Sequence, residues 1–62
     1  MAKGRLLFVP EISERIRRSD RATRWLIHTG ALGPTANIGG RRVMAEEDLE
    51  AWIEAQFAKE AV

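Results

Sequence analysis

The chain has no cysteine and a single histidine, His28. The first absence excludes a disulfide framework and any thiolate-ligated zinc site, and it fits the cytosol. The second leaves a histidine-based metal site without partners. No apolar run approaches the roughly 20 residues that span a bilayer. The basic start, Met1-Ala2-Lys3-Gly4-Arg5, is followed only by Leu6 to Val9, far too short for the apolar core of a secretory leader. Also missing are a nucleophile–base pair, a glycine-rich phosphate loop and a helix carrying paired Glu and His ligands. A chain of 62 residues can hold one domain. A domain this small buries only about 60% of its extended surface, which leaves little room for an enclosed substrate pocket. These absences together predict a non-enzymatic protein with no cofactor, no small-molecule substrate and no membrane association.

What is present is unevenly distributed charge. The net charge is only +1, yet residues 1–45 hold nine basic side chains against three acidic ones, and residues 46–62 hold six acidic ones against Lys59 alone. A small domain polarised in this way can turn a basic face to a polyanion while its acidic end points away. Eight of the ten cations are arginine, the residue suited to bidentate contact with phosphate or guanine.

The periodicity predicts a short strand, helix, tight turn, helix, hairpin, helix. Arg5 to Val9 suits a strand or an extended entry. Pro10 fits the first turn of a helix over about 10–17, with Val9, Ile12 and Ile16 on one face. Ser19 is a good N-cap and Asp20 a good first-turn residue for a second helix over about 20–29. Its inward stripe is expected at Ala22, Trp25, Leu26 and Thr29, and Gly30 is a natural left-handed stop. Two short segments, 35–38 and 41–44, flank Gly39-Gly40, which readily supplies the positive φ angles of a two-residue hairpin. Glu46 to about Ala58 reads as a third helix with Leu49, Trp52, Ile53 and Phe57 on its apolar face. Trp25, Trp52, Phe8 and Phe57 are the large side chains expected to dominate the core. The fold class expected is α+β: a winged helix-turn-helix of three short helices and a small antiparallel hairpin wing. It forms one domain over 1–62, with residues 1–4 and 59–62 frayed.

In such a fold the second helix enters the major groove and its N-terminal residues meet base edges. The outward residues there are expected to be Asp20, Arg21, Thr23 and Arg24. Asp20 is read as a helix-dipole residue, as is His28 at the other end. Arg21 and Arg24 can reach guanine or phosphate, and Thr23 a thymine methyl or phosphate. Arg17, Arg18 and Ser19 form the inter-helix turn, where the two arginines are placed against backbone phosphates. Arg41 and Arg42 follow the hairpin turn, and because strand neighbours point to opposite faces, one of them faces DNA. Arg41, nearer the tip, is the expected one. The candidate DNA-contacting set is therefore Arg17, Arg18, Ser19, Arg21, Thr23, Arg24, Arg41 and Arg42, with no catalytic and no metal-binding residue. Trp25 and Trp52 suit core packing better than base stacking, because each lies on an apolar stripe.

These residues resemble a known group. Ser19-Asp20-Arg21-Ala22-Thr23-Arg24-Trp25-Leu26-Ile27-His28-Thr29-Gly30-Ala31-Leu32 is similar to the recognition-helix motif of the winged helix-turn-helix group that includes MerR-type regulators and phage excisionases. Ile38 to Val43 and Leu49 to Ile53 resemble the same group's wing and closing helix. The likeness covers about residues 6–57. Carried over, it makes Arg24 a backbone-contacting arginine, Trp25 a packing aromatic and Arg41 a wing residue. Two positions depart from the pattern: Arg17 stands where a glycine often eases the turn, and Phe8 or Val9 stands where a Ser or Thr usually caps the first helix. Because the chain ends just after the third helix, it resembles the stand-alone excisionases, or recombination directionality factors. The resemblance implies several copies bound head to tail on a double-stranded attachment site, DNA bending, and a tyrosine integrase as partner in prophage excision, in the cytoplasm of a bacterial host at its nucleoid. A small MerR-like transcriptional regulator on an operator is the alternative, and a structural or adaptor module a third.

Overall fold

The computed structural model describes residues 4–61. The chain runs β1 (Leu6–Phe8), α1 (Val9–Ile16), α2 (Asp20–His28), β2 (Ala36–Ile38), β3 (Arg41–Ala45) and α3 (Glu46–Glu60). The three strands form one antiparallel sheet in the order β1-β3-β2. This is an α+β winged helix-turn-helix. The hairpin wing is joined by the entry strand, which pairs with β3 through Leu6 with Ala45, Leu7 with Met44 and Phe8 with Val43. No helix among the described residues is long and apolar enough to cross a membrane.

Strand alternation sorts the side chains by face. Leu7 and Met44 point inward and are buried with Ile12, Leu32 and Leu49, the aliphatic centre of the domain. Leu6, Phe8 and Ile38 lie on the outer face and remain exposed. Gly39 and Gly40 have φ values of 59° and 84°. Both central residues of the β2–β3 turn are thus left-handed, the pattern of a type I′ hairpin. The Asn37 side chain accepts from the Gly40 N–H at 3.0 Å and closes the turn.

Each helix start shows how the sequence sets its boundary. Phe8 has no side-chain acceptor, but Glu11 reaches back to accept from the Phe8 N–H at 2.9 Å. That is half of a capping box, and it lets α1 begin at Val9 without a Ser or Thr. Ser19 accepts from the Ala22 N–H at 3.1 Å and caps α2 as expected. Ala45 cannot cap α3. Its place is taken by the backbone just before β1, where the Arg5 carbonyl accepts from the Glu46 N–H at 2.8 Å.

Both α1 and α2 end in the same hydrogen-bonded wrap. In α2, Gly30 donates to Ile27 at 3.1 Å and Ala31 to Leu26 at 3.0 Å, with Gly30 at φ 79°. In α1, Arg17 donates to Glu14 at 3.3 Å and Arg18 to Ser13 at 3.0 Å, with Arg17 at φ 59°. This is the Schellman arrangement, which favours glycine at its left-handed residue. Arg17 holds that conformation with a Cβ.

Several sequence expectations need correction. The buried stripe of α2 is turned by a little under one residue step, which is about 100° in an α-helix. Thr23 is fully buried, Ala22, Leu26 and Ile27 are half-buried, and Trp25 and Thr29 are exposed. Trp25 is 65% exposed and therefore not a core residue. Phe57 is 74% exposed and lies one turn beyond Trp52 and Ile53, which pack against the core. Phe8 also leaves the core for the outer sheet face. Of the four large aromatics only Trp52 packs against the centre, and its Nε1–H donates to the Ala31 carbonyl at 2.7 Å. α3 continues through Glu60, two residues beyond the expected end at about Ala58. Residues 1–3 and 62 lie outside the described residues.

Candidate nucleic-acid interface

The orientation of α2 is fixed by buried hydroxyls. The Ser13 hydroxyl donates to the Thr23 hydroxyl at 2.7 Å, and the Thr23 hydroxyl donates to the Ser19 carbonyl at 3.0 Å. Ser13 Oγ also lies 2.9 Å from the Val9 carbonyl. Thr23 was expected among the outward DNA contacts. Its full burial places it between the helices instead, as the residue that sets which way α2 faces. Threonine counts as polar in a hydropathy pattern, so its pairing partner on α1 had to be seen before its inward position could be read.

With Thr23 turned in, Arg21, Arg24, Trp25 and His28 turn out. Together with Ser19 and Ala22 they line an open groove along the solvent side of α2. The Trp25 and His28 rings sit 5.8 Å apart with a 36° tilt. A second groove shares Arg24 and His28 and continues past Ile27, Thr35 and Val9 to Arg42. The two grooves make a continuous surface from the start of α2 to the wing.

Strand pairing divides the two wing arginines. Asn37 pairs with Arg42, and Ile38 with Arg41. Arg42 shares the inward-facing side of β3 with Met44 and emerges beside α2. Arg41 lies on the outer side, with its guanidinium 4.7 Å from the centre of the Phe8 ring, a cation–π contact. The residue that adjoins the α2 surface is thus Arg42, although the sequence pointed to Arg41.

The cations also divide by engagement. Arg5 pairs with Glu11 at 3.1 Å, and Arg15 with Glu46. The hydrogen bond that Arg15 donates to the Glu46 carboxylate raises the Arg15 pKa. Glu11 has its pKa lowered, first by the Phe8 backbone N–H and then by the Arg5 charge. Arg17, Arg18, Arg21, Arg24 and Arg42 make no side-chain ion pair or hydrogen bond among the described residues, and all five are exposed. They occupy the inter-helix turn, the outward face of α2 and the inner side of the wing. Ser19 uses its oxygen as the α2 cap, and its hydroxyl donates to no acceptor among the described residues. Among the described residues no group of three or more His, Asp or Glu side chains is placed to hold a metal ion.

Residues 6–56 match the family model described as a helix-turn-helix domain. The chain belongs to the helix-turn-helix domain family. This is a DNA-binding family that includes excisionase-like proteins. No curated protein and no solved structure matches the chain significantly. α2 is therefore the second helix of a helix-turn-helix domain, the helix that enters the major groove in well-known members of this fold. Trp25 is the member of this surface that sequence reasoning placed elsewhere. The signal that could have found it is the i, i+3, i+4 spacing of Thr23, Leu26 and Ile27, which makes a competing inward stripe and leaves Trp25 outside.

Proposed function

We propose that this helix-turn-helix domain binds a duplex attachment site in a sequence-specific manner, bends it, and directs a tyrosine integrase towards excision. The observation that carries the DNA-binding part is the set of five unengaged arginines spread over the turn, α2 and the wing. Arg17 and Arg18 face backbone phosphates, Arg21 and Arg24 enter the major groove, and Arg42 meets the flanking backbone. The excisionase role rests on the resemblance of the α2, wing and α3 motifs to that group.

Head-to-tail assembly on DNA has separate support. Apart from Trp25 on the α2 surface, large exposed apolar side chains among the described residues occur at two different places, the outer sheet face (Leu6, Phe8 and Ile38) and the end of α3 (Phe57). Two unlike patches suit a heterologous contact, which propagates along a filament. Arg41 beside the first patch and Glu54 and Glu60 beside the second have opposite charges.

A gel-shift titration tests the reading. An excisionase gives a ladder of complexes on an attachment site, and circular permutation of that site reveals a bend. Addition of the cognate integrase then gives stimulated excision. A single complex on a promoter operator, with no stimulation on a correct attachment site, transfers the chain to the transcriptional-regulator reading.

A further inference from the structure

Arginines account for the charge of the α2 surface but not for its one large apolar group. Trp25 stands 65% exposed among Arg21, Arg24 and His28. The fold does not use it: the buried place on α2 goes to Thr23, and the centre of the domain is aliphatic. Its indole N–H has no acceptor among the described residues, whereas that of Trp52 is bonded to Ala31. The His28 ring lies beside that of Trp25, with centroids 5.8 Å apart and a 36° tilt, and most of the indole remains open to solvent.

When α2 enters a major groove, the indole arrives together with Arg21 and Arg24, which line the same groove. The major-groove edge of the base pairs carries one apolar group, the C5 methyl of thymine. We infer that Trp25 is a specificity-determining residue that packs its indole edge on a thymine methyl, while Arg21 and Arg24 take the polar and phosphate contacts. The inference rests on the proposed sequence-specific duplex binding. A base stacked flat on the ring, as in single-strand binding, has less support, because the chain belongs to a helix-turn-helix family, whose second helix meets duplex DNA in the major groove.

The test starts from the duplex sequence that the full chain selects out of a randomised library. Each thymine in the consensus is replaced in turn by deoxyuridine, which removes only the methyl group. The wild-type chain should lose about fourfold in affinity at one thymine, the effect of uncovering one methyl-sized group. Trp25→Ala should bind the thymine duplex more weakly and no longer distinguish it from the deoxyuridine duplex, with an unchanged circular dichroism spectrum. A consensus in which no thymine methyl matters overturns the contact alone. So does a Trp25→Ala protein that keeps the wild-type preference, or one that binds single strands and duplex equally. A selection that yields no consensus overturns the sequence-specific reading and the contact with it.

Discussion

Ser13 on α1 and Thr23 on α2 are joined hydroxyl to hydroxyl at 2.7 Å, and both are buried. This is the polar link between the two helices of the DNA-binding motif, and it ends on the Ser19 carbonyl at the start of α2. A buried hydroxyl left without its partner costs about 1–3 kcal/mol, whereas removing both partners together costs less. Ser13→Ala and Thr23→Val should each lower unfolding stability by an amount in that range. The double variant should lose less than the sum of the two, as measured by urea denaturation in a double-mutant cycle. Strict additivity would mean that the two hydroxyls do not depend on each other.

Arg17 occupies the left-handed position that Gly30 fills at the end of α2. A residue with a Cβ pays roughly 1–2 kcal/mol there, and glycine gives back part of this through its freer unfolded chain. Arg17→Gly should therefore raise stability modestly, seen as a higher thermal midpoint. The same change removes an unengaged cation. If Arg17 contacts a phosphate, the slope of log K against log salt should fall by about 0.9. A more stable protein that binds DNA less tightly separates the two roles of this residue.

The backbone of this domain was largely legible from local chemistry. Ser19, Gly30 and the Gly39-Gly40 pair each act within a few residues of themselves, and each stands where its chemistry predicted. The side-chain faces were less legible, because they depend on partners remote in sequence. Thr23 is inward because Ser13 meets it, and Trp25 is outward because Thr23 is inward. Arg42 adjoins α2 because Leu7 pairs with Met44 and thereby sets which side of β3 is the inner one. Ala45 can start a helix only because the Arg5 carbonyl lies beside it. The α2 window offers the stripe of Thr23, Leu26 and Ile27 as a competitor, but partners outside that window decide which stripe turns inward.

Glu11 links α1 to β1 by accepting from the Phe8 N–H and from Arg5. These contacts stabilise its charged form, so its pKa in the folded chain lies below the unfolded value. The stabilisation is complete above the ordinary carboxylate range and is lost as pH falls through the folded value. The thermal midpoint should thus drop on acidification below that range. Glu11→Gln, which retains an acceptor for Phe8 but cannot ionise, should flatten this part of the profile. An unchanged acid limb in the variant would assign the loss to other carboxylates.

Arg41 and Arg42 are neighbours in sequence on opposite faces of β3, and this makes them an internal control for the DNA-binding surface. Arg42 shares a groove with Arg24 and His28. Arg41 lies over Phe8 on the far side. Arg42→Ala should weaken duplex binding and reduce the salt slope by about 0.9, as should Arg24→Ala if each meets one phosphate. Arg41→Ala should leave the salt slope of a single bound copy near that of the wild type and instead lower stability by about 0.5–1 kcal/mol through the lost cation–π contact. Because both variants remove one positive charge from the same strand, a general electrostatic effect would act on them alike. Equal losses of affinity would show that net charge, and not the face of the wing, governs binding. The opposite ranking, with Arg41 dominant, would mean that the outer side of the sheet faces the DNA.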